Sequence, residues 1–302
     1  MTKVWEFFDN AEEAYGLPWP VEYRGSDELR IEQLEDFGVV AFTSLAYAHK
    51  PGMAAWLNDW CASFARSTPR CLQTATFFPE PGVADYVAPA IDSGARVFKV
   101  HLQVGAFDPR DPLLVPVWDL LAQSGVPAVV HCGSGPLPGR FTGPGPIGEV
   151  IARHPELQVI VAHMGAPEYA EFLAMARVNE NVRLDTTMAF TDFMNDLAEF
   201  PPAMLPDLYE AGMRGDILFG SDFPNIPYPY AEAVAALERL DLGDAWLRTV
   251  LYTTPATLFS LSPLTAPRLC GRGGYEHLHE TVNVVSVVRT CRRAGGGPAL
   301  LA

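Results

Sequence analysis

The chain has 302 residues, 49% of them hydrophobic and 19% charged, with 27 prolines and 25 glycines, a composition that excludes a disordered or fibrous protein. Its formal net charge of −15, from 21 basic and 36 acidic residues, argues against nucleic acid as a partner, because surfaces that neutralise phosphate need clustered Lys and Arg. The length suits one α/β barrel or two smaller domains.

Short, β-rich apolar runs alternate along the chain with longer stretches of helical periodicity. Strands are predicted over 39–47, 72–79, 96–102, 128–132, 158–163, 182–186 and 217–220. Helices are predicted between them, in SDELRIEQLEDFG, MAAWLNDWCASFARS, DPLLVPVWDLLAQSG and GPIGEVIARHPE. Several open at Ser, Asp or Gly and close at Gly or before Pro, as helices tend to. Seven βα-like units in sequence point to an α/β fold, a TIM (β/α)-type barrel lacking one strand, with an open doubly wound sheet as the competitor. Trp56, Trp60 and Phe64, four apart, are spaced for one helical face and are expected in the core.

No apolar run approaches the roughly 20 residues that cross a bilayer, and the opening MTKVWEFFDNAEEAYG lacks the basic and apolar regions of a signal peptide. The five scattered cysteines include no CxxC pair, so neither a disulfide framework nor a thiolate zinc site is expected. The reading is a cytoplasmic protein that meets no membrane, has a small-molecule substrate as its partner, and is compatible with a homo-oligomer.

The strand bodies are apolar, but several end on an ionisable residue: Lys99 and His101 in FKVHL, His131 in AVVHCG, His163 in VIVAHMG, Asp185 in VRLDTT, and Asp222 just after ILFGS. In a barrel the C-terminal strand ends open into the active site, so recurrence there points to chemistry. Two imidazoles and a carboxylate converging from different strands suit a divalent transition metal, which lowers the pKa of its bound water and polarises a neighbouring carbonyl; the sequence offers His131, His163 and Asp222. Lys99 and His101 are two apart and share a strand face; turned inward, they present a cation and an imidazole to an anionic substrate. Arg140, beside the loop glycines after the fifth strand motif, is a candidate for binding a substrate carboxylate, with a solvated loop arginine as the alternative. Phe223 and Tyr228, in the loop after Asp222, are candidates to line the pocket.

The runs VFKVHLQVGAFDP, GVPAVVHCGSGP, VIVAHMGAPEYAEF and LFGSDFP, together with their spacing, resemble the amidohydrolase superfamily. The resemblance is to the amidohydrolase-related branch that also holds aminocarboxymuconate semialdehyde decarboxylase and related metal-dependent enzymes. It covers residues 1–261 and implies a (β/α)8 barrel with a divalent metal, usually Zn2+, at its mouth. It further implies that His131 is a metal ligand, that His163 is the catalytic histidine acting on metal-bound water, and that Asp222 both ligates the metal and takes part in proton transfer. Some branches carry a carboxylated lysine on the fourth strand, but this branch is mononuclear as a rule, so substrate or structural contact is favoured for Lys99.

The family also supplies an HxH pair at the end of its first strand, and this sequence has none there. The start MTKVWEFFD resembles the segment that follows that strand, so the barrel is read as lacking its first strand. Met1 is read as an internal methionine of a longer product, and the upstream frame is expected to encode an apolar strand ending in HxH. His277 and His279 form an HxH, but their apolar run follows rather than precedes them, so they are read as part of a peripheral tail. From residue 262 the composition shifts, to a net +3 over 262–302 against −18 for 1–261. The segment 262–302 is read as a basic, Gly- and Arg-containing, poorly ordered extension, in which TVNVVSVV could also form an exposed strand.

These observations favour a metal-dependent hydrolase of a small anionic substrate that uses metal-activated water. Two alternatives stay open: a metal-dependent nonoxidative decarboxylase, and an inactive truncated barrel without the HxH ligands.

Overall fold

A computed structural model of the chain describes residues 2–261 and 286–288. After two short helices, Thr2–Asp9 and Ala11–Tyr15, helix α1 (Asp27–Asp36) starts at Ser26, whose side chain accepts from the Leu29 N–H, with Asp27 and Glu28 in the first turn, where negative charge is favoured. Strand β1 (Val39–Thr43) and helix α2 (Ala54–Ser67) follow. Next come β2 (Cys71–Leu72), β3 (Thr74–Thr76), α3 (Val83–Asp92), β4 (Val97–His101), α4 (Val115–Ser124) and β5 (Ala128–His131). The series continues with α5 (Pro144–Arg153), β6 (Val159–Val161), α6 (Tyr169–Val178), β7 (Val182–Asp185), α7 (Leu205–Arg214), β8 (Ile217–Leu218) and α8 (Tyr230–Arg239). Helices α4 and α7 carry proline in their first turn and stop at Gly125 and Gly215, both left-handed, where a side chain would be strained.

Strands β3 to β8 form a six-stranded parallel sheet in chain order, and β1 pairs in parallel with β2. The run predicted as one strand over 72–79 is two short pieces, because Leu72 pairs back to Thr43 of β1 while Thr74 pairs forward to Val97 of β4. Repeated βα units around one parallel sheet are the architecture of a TIM-type barrel.

The core has two compartments set by the period-2 alternation of the strands. Val97, Val129, Ile160 and Leu218 pack with Leu45 and Phe259 inside the barrel. Phe98, Val100, Val130 and Val159, on the opposite faces of their strands, pack against the helices. Lys99 and His101 share the face of Val97, and His131 that of Val129, so all three point inward. On α2, Trp60 is buried and stacks on Phe64 at 5.2 Å, but Trp56 is 48% exposed, so the expected three-aromatic core face holds for two of the three.

A ninth strand, β9 (Ser286–Val288), pairs antiparallel with β1, with Val39 opposite Val288 and Phe42 opposite Ser286. It lies on the side of β1 away from β2, beside the helical turns Thr249–Thr253 and Thr254–Leu258 that follow β8. The remainder of the 262–302 segment, with His277 and His279, lies outside the described residues, as does the reading of that segment as poorly ordered. Among the described residues, no helix is long and apolar enough to cross a membrane.

Candidate active site

Five neighbouring strands deliver ionisable side chains to the C-terminal end of the barrel. His101 and His131 are register partners at the ends of β4 and β5, and their rings stack with centroids 3.7 Å apart and planes 12° apart. Tyr47 covers the His101 ring at 5.1 Å, and His163, just past β6, meets the His131 ring edge-on at 4.8 Å. Asp222, four residues past β8, brings Oδ2 to 3.6 Å from Nε2 of His163. Both members of that pair have left-handed backbones, at φ 56° for His163 and 53° for Asp222, a region that non-glycine residues seldom occupy and that clusters at functional sites.

Hydrogen bonds to the backbone fix the imidazole tautomers. His163 donates from Nδ1 to the Thr187 carbonyl at 3.1 Å, which leaves Nε2 facing Asp222. His131 donates from Nε2 to the Gly135 carbonyl at 3.1 Å, and His101 accepts the Val104 N–H on Nδ1 at 3.3 Å. The carbonyl of Gly135 is held in place because its own N–H donates to the Ala166 carbonyl at 3.0 Å. Gly133 allows this close approach, since a Cβ there would lie 2.5 Å from the Ala166 oxygen.

Lys99 lies below the histidines and is 2% exposed. Burial pushes its ammonium pKa down, and the nearby Asp222 and Asp185 carboxylates counter that. Burial likewise holds His101 and His131 well below the ordinary histidine value, reinforced at His101 by Lys99 and at His131 by His101, so both rings are neutral at pH 7. The Asp222 side chain keeps 19% exposure, and burial raises its carboxyl pKa against the opposing pull of His163 and Lys99. In the loop beyond Asp222, both side-chain polar atoms of Asn225 are buried with no hydrogen-bond partner among the described residues, and the buried Tyr228 hydroxyl lies beside Thr191.

The fold thus gathers Lys99, His101, His131, His163 and Asp222. Arg140 is elsewhere: exposed on its loop, it sits over the Phe141 ring at 5.1 Å and near Asp108, whose carboxyl is held down chiefly by Arg110. Phe223 is 1% exposed and turns away into the core between Tyr23, at 4.7 Å, and Tyr230, at 5.8 Å. Asn225 was missed by sequence reasoning, which has no signal for a single amide in a loop. Tyr228 does lie near Asp222, whose carboxylate helps to raise its phenol pKa after burial.

A family model described as amidohydrolase matches residues 3–261. Among solved structures, an uncharacterised TIM-barrel protein from Bordetella bronchiseptica matches with a TM-score of 0.68 at 18% identity, over 85% of this chain and 91% of that one. A 5-carboxyvanillate decarboxylase from Novosphingobium aromaticivorans, solved with manganese and 3-methoxy-4-hydroxy-5-nitrobenzoic acid, matches at 0.55 and 16% identity, over 86% and 88% of the two chains. A Pseudomonas putida structure assigned as a 2-pyrone-4,6-dicarboxylic acid hydrolase matches at 0.56 and 16%, over 83% and 93%. No curated protein matches the sequence. At these identities the solved structures establish the barrel, and the family match spans the segment that supplies the whole strand-end cluster: the chain belongs to the amidohydrolase family.

Proposed function

We propose that this chain hydrolyses a small substrate carrying a carboxylate, using His163 and Asp222 as its acid–base pair. The observation that supports the reading is the approach of His163 Nε2 to Asp222 Oδ2, at 3.6 Å, beside the buried Lys99 ammonium. Amidohydrolases typically depend on a divalent metal, and the resemblance names Zn2+, with His131 and Asp222 as its ligands here. A catalytic zinc takes three protein ligands. Among the described residues, no three His, Cys, Asp or Glu side chains are placed to hold a metal ion. His131 commits Nε2 to the Gly135 carbonyl and stacks flat on His101, while His163 commits Nδ1 to Thr187. As they stand these donors do not fit the metal, and the steps below use the chain's own groups.

Lys99 pairs with the substrate carboxylate, or with the oxyanion formed next to it, in a pocket where low dielectric strengthens the attraction. His163 takes a proton from water on Nε2 as the water oxygen bonds to the substrate carbonyl carbon. Asp222, whose carboxyl pKa is raised by burial, hands a proton to the leaving oxygen or nitrogen as the carbon–heteroatom bond breaks. The proton on His163 then returns to Asp222, so that one water is consumed and both groups are reset. Asn225 offers a buried donor and acceptor to uncharged polar parts of the substrate.

The test is a panel of carboxylated lactones and amides alongside aromatic and dienoic acids, assayed with chelator and with added zinc or manganese. Hydrolysis lost in His163→Asn is expected. Release of CO2 from the acids instead would replace hydrolysis by carbon–carbon cleavage. Turnover only with added metal would overturn the metal-free steps, and no turnover on any arm would favour the inactive barrel.

A further inference from the structure

We infer that Asp185 is the positioning residue of this site, one carboxylate oxygen that sets both the backbone and the ring of His163. It sits at the end of β7, 1% exposed, and its Oδ1 accepts two backbone N–H groups, those of His163 and Thr187, each at 3.0 Å. The second of these is the residue whose carbonyl takes the Nδ1 proton of His163 at 3.1 Å. Asp185 therefore grips His163 twice: directly at the peptide, and through Thr187 at the imidazole.

The direct contact falls where the chain most needs it. His163 has φ 56° and ψ 33°, the left-handed conformation that costs a side-chain-bearing residue energy, and the next residue, Met164, has φ 56° as well. A buried N–H at such a turn has no helix or strand partner, and a carboxylate supplies a stronger acceptor than a neutral carbonyl. The indirect contact selects the tautomer. With Thr187 held, its carbonyl can only accept, so the proton stays on Nδ1 and Nε2 is the nitrogen that faces Asp222.

Asp185 also bears on Asp222. A Cβ on Gly220 would lie 2.0 Å from Thr187 Oγ1 and 3.1 Å from Asp185 Oδ1, so the exit of β8 runs directly against the Asp185–Thr187 turn. Two residues later the chain presents Asp222. The turn that orients His163 is thus also the surface along which Asp222 is delivered to it.

This inference rests on the acid–base reading only for its effect on turnover, so its test uses no substrate. In nitrogen-15 spectra of imidazole and backbone groups, with His163 assigned by comparison with His163→Asn, the wild type should show a fixed Nδ1–H tautomer. Asp185→Ala should lose it, giving averaged ring-nitrogen signals. Asp185→Asn, which retains an acceptor oxygen, should keep the tautomer while the His163 and Thr187 amide protons move upfield. A folded Asp185→Ala variant with unchanged His163 ring signals would overturn the inference. If that variant does not fold, Asp185→Asn decides alone, and unmoved His163 and Thr187 amide protons refute it. Should a hydrolysed substrate be found, Asp185→Ala should lower kcat more than it changes KM, with recovery in Asp185→Asn.

Discussion

The stacked, neutral pair His101 and His131 makes the stability of this protein depend on pH in a defined direction. Burial holds both folded-state pKa values well below 6.5, so below that pH the unfolded chain binds protons that the folded chain refuses. Stability contributed in this way is complete above 6.5 and is lost as pH falls. For a ring that stays neutral when folded, the linkage loss approaches about 1.4 kcal/mol per pH unit below the unfolded value. Two such rings lose about 2.7 kcal/mol between pH 7.5 and 5.5, which for a domain of this size is a fall in Tm of roughly 5–11 °C. Lys99, depressed from 10.5, acts in the same direction wherever it titrates. Asp222, raised from 3.8, acts in the opposite direction, because the folded state then binds the extra proton. His163 and Tyr47 are the rings packed against the pair. The assay is thermal unfolding by circular dichroism at pH 7.5, 6.5 and 5.5 in chelator, for the wild type and a His101→Gln/His131→Gln variant, whose own slope should be nearly flat. A wild-type Tm constant across this range, or an equal slope in the double variant, would refute the reasoning.

Three other outcomes are expected. His163→Asn should cost activity about 10²–10⁴-fold, the usual loss on removing a general base, yet leave Tm nearly unchanged because Asn tolerates the left-handed backbone; a large Tm drop would count against this. Gly212→Ala in α7 gains about 1 kcal/mol of helix propensity but places Cβ 2.0 Å from Nε1 of the fully buried Trp246, whose N–H donates to the Leu208 carbonyl. Overpacking of about 1–3 kcal/mol plus a disturbed hydrogen bond of about 1 kcal/mol should win, lowering the urea midpoint, and an unchanged or higher midpoint would show that the ring yields freely. Val287→Pro removes a backbone donor from β9 and should expose the edge of β1, giving larger species in light scattering; a monodisperse variant of wild-type size would be the contrary result.

Much of the site was legible because strand parity is strict. Once FKVHL and AVVHC are read as strands, Lys99, His101 and His131 must fall on one set of faces, and the apolar partners of Val97 and Val129 show that set to be the interior. Direction is not legible in the sequence where contacts distant along the chain decide it. Phe223 follows Asp222 in the chain, yet Tyr23 and Tyr230 draw its ring into the core. Arg140 has a suitable loop but stays exposed, over the Phe141 ring and near Asp108. Asp185 could be seen as a polar strand end, but its task depends on two N–H groups, one of them 22 residues away, and on the missing Cβ of Gly220. The break between β2 and β3 was hidden for a similar reason, since LQTATFFP reads as one run and only the neighbours β1 and β4 divide it.

The pairing of β1 with β9 has a consequence for how the protein is made. Strand β1 is complete once residue 43 has been synthesised, but its antiparallel partner arrives only with residues 286–288, after every other barrel strand. Through most of translation β1 therefore has one unsatisfied ladder of peptide groups, and the parallel sheet from β3 to β8 can assemble before that ladder is filled. Slowing the ribosome between β8 and residues 286–288 would lengthen the interval in which the nascent barrel carries that open edge, whereas slowing it before β1 would not.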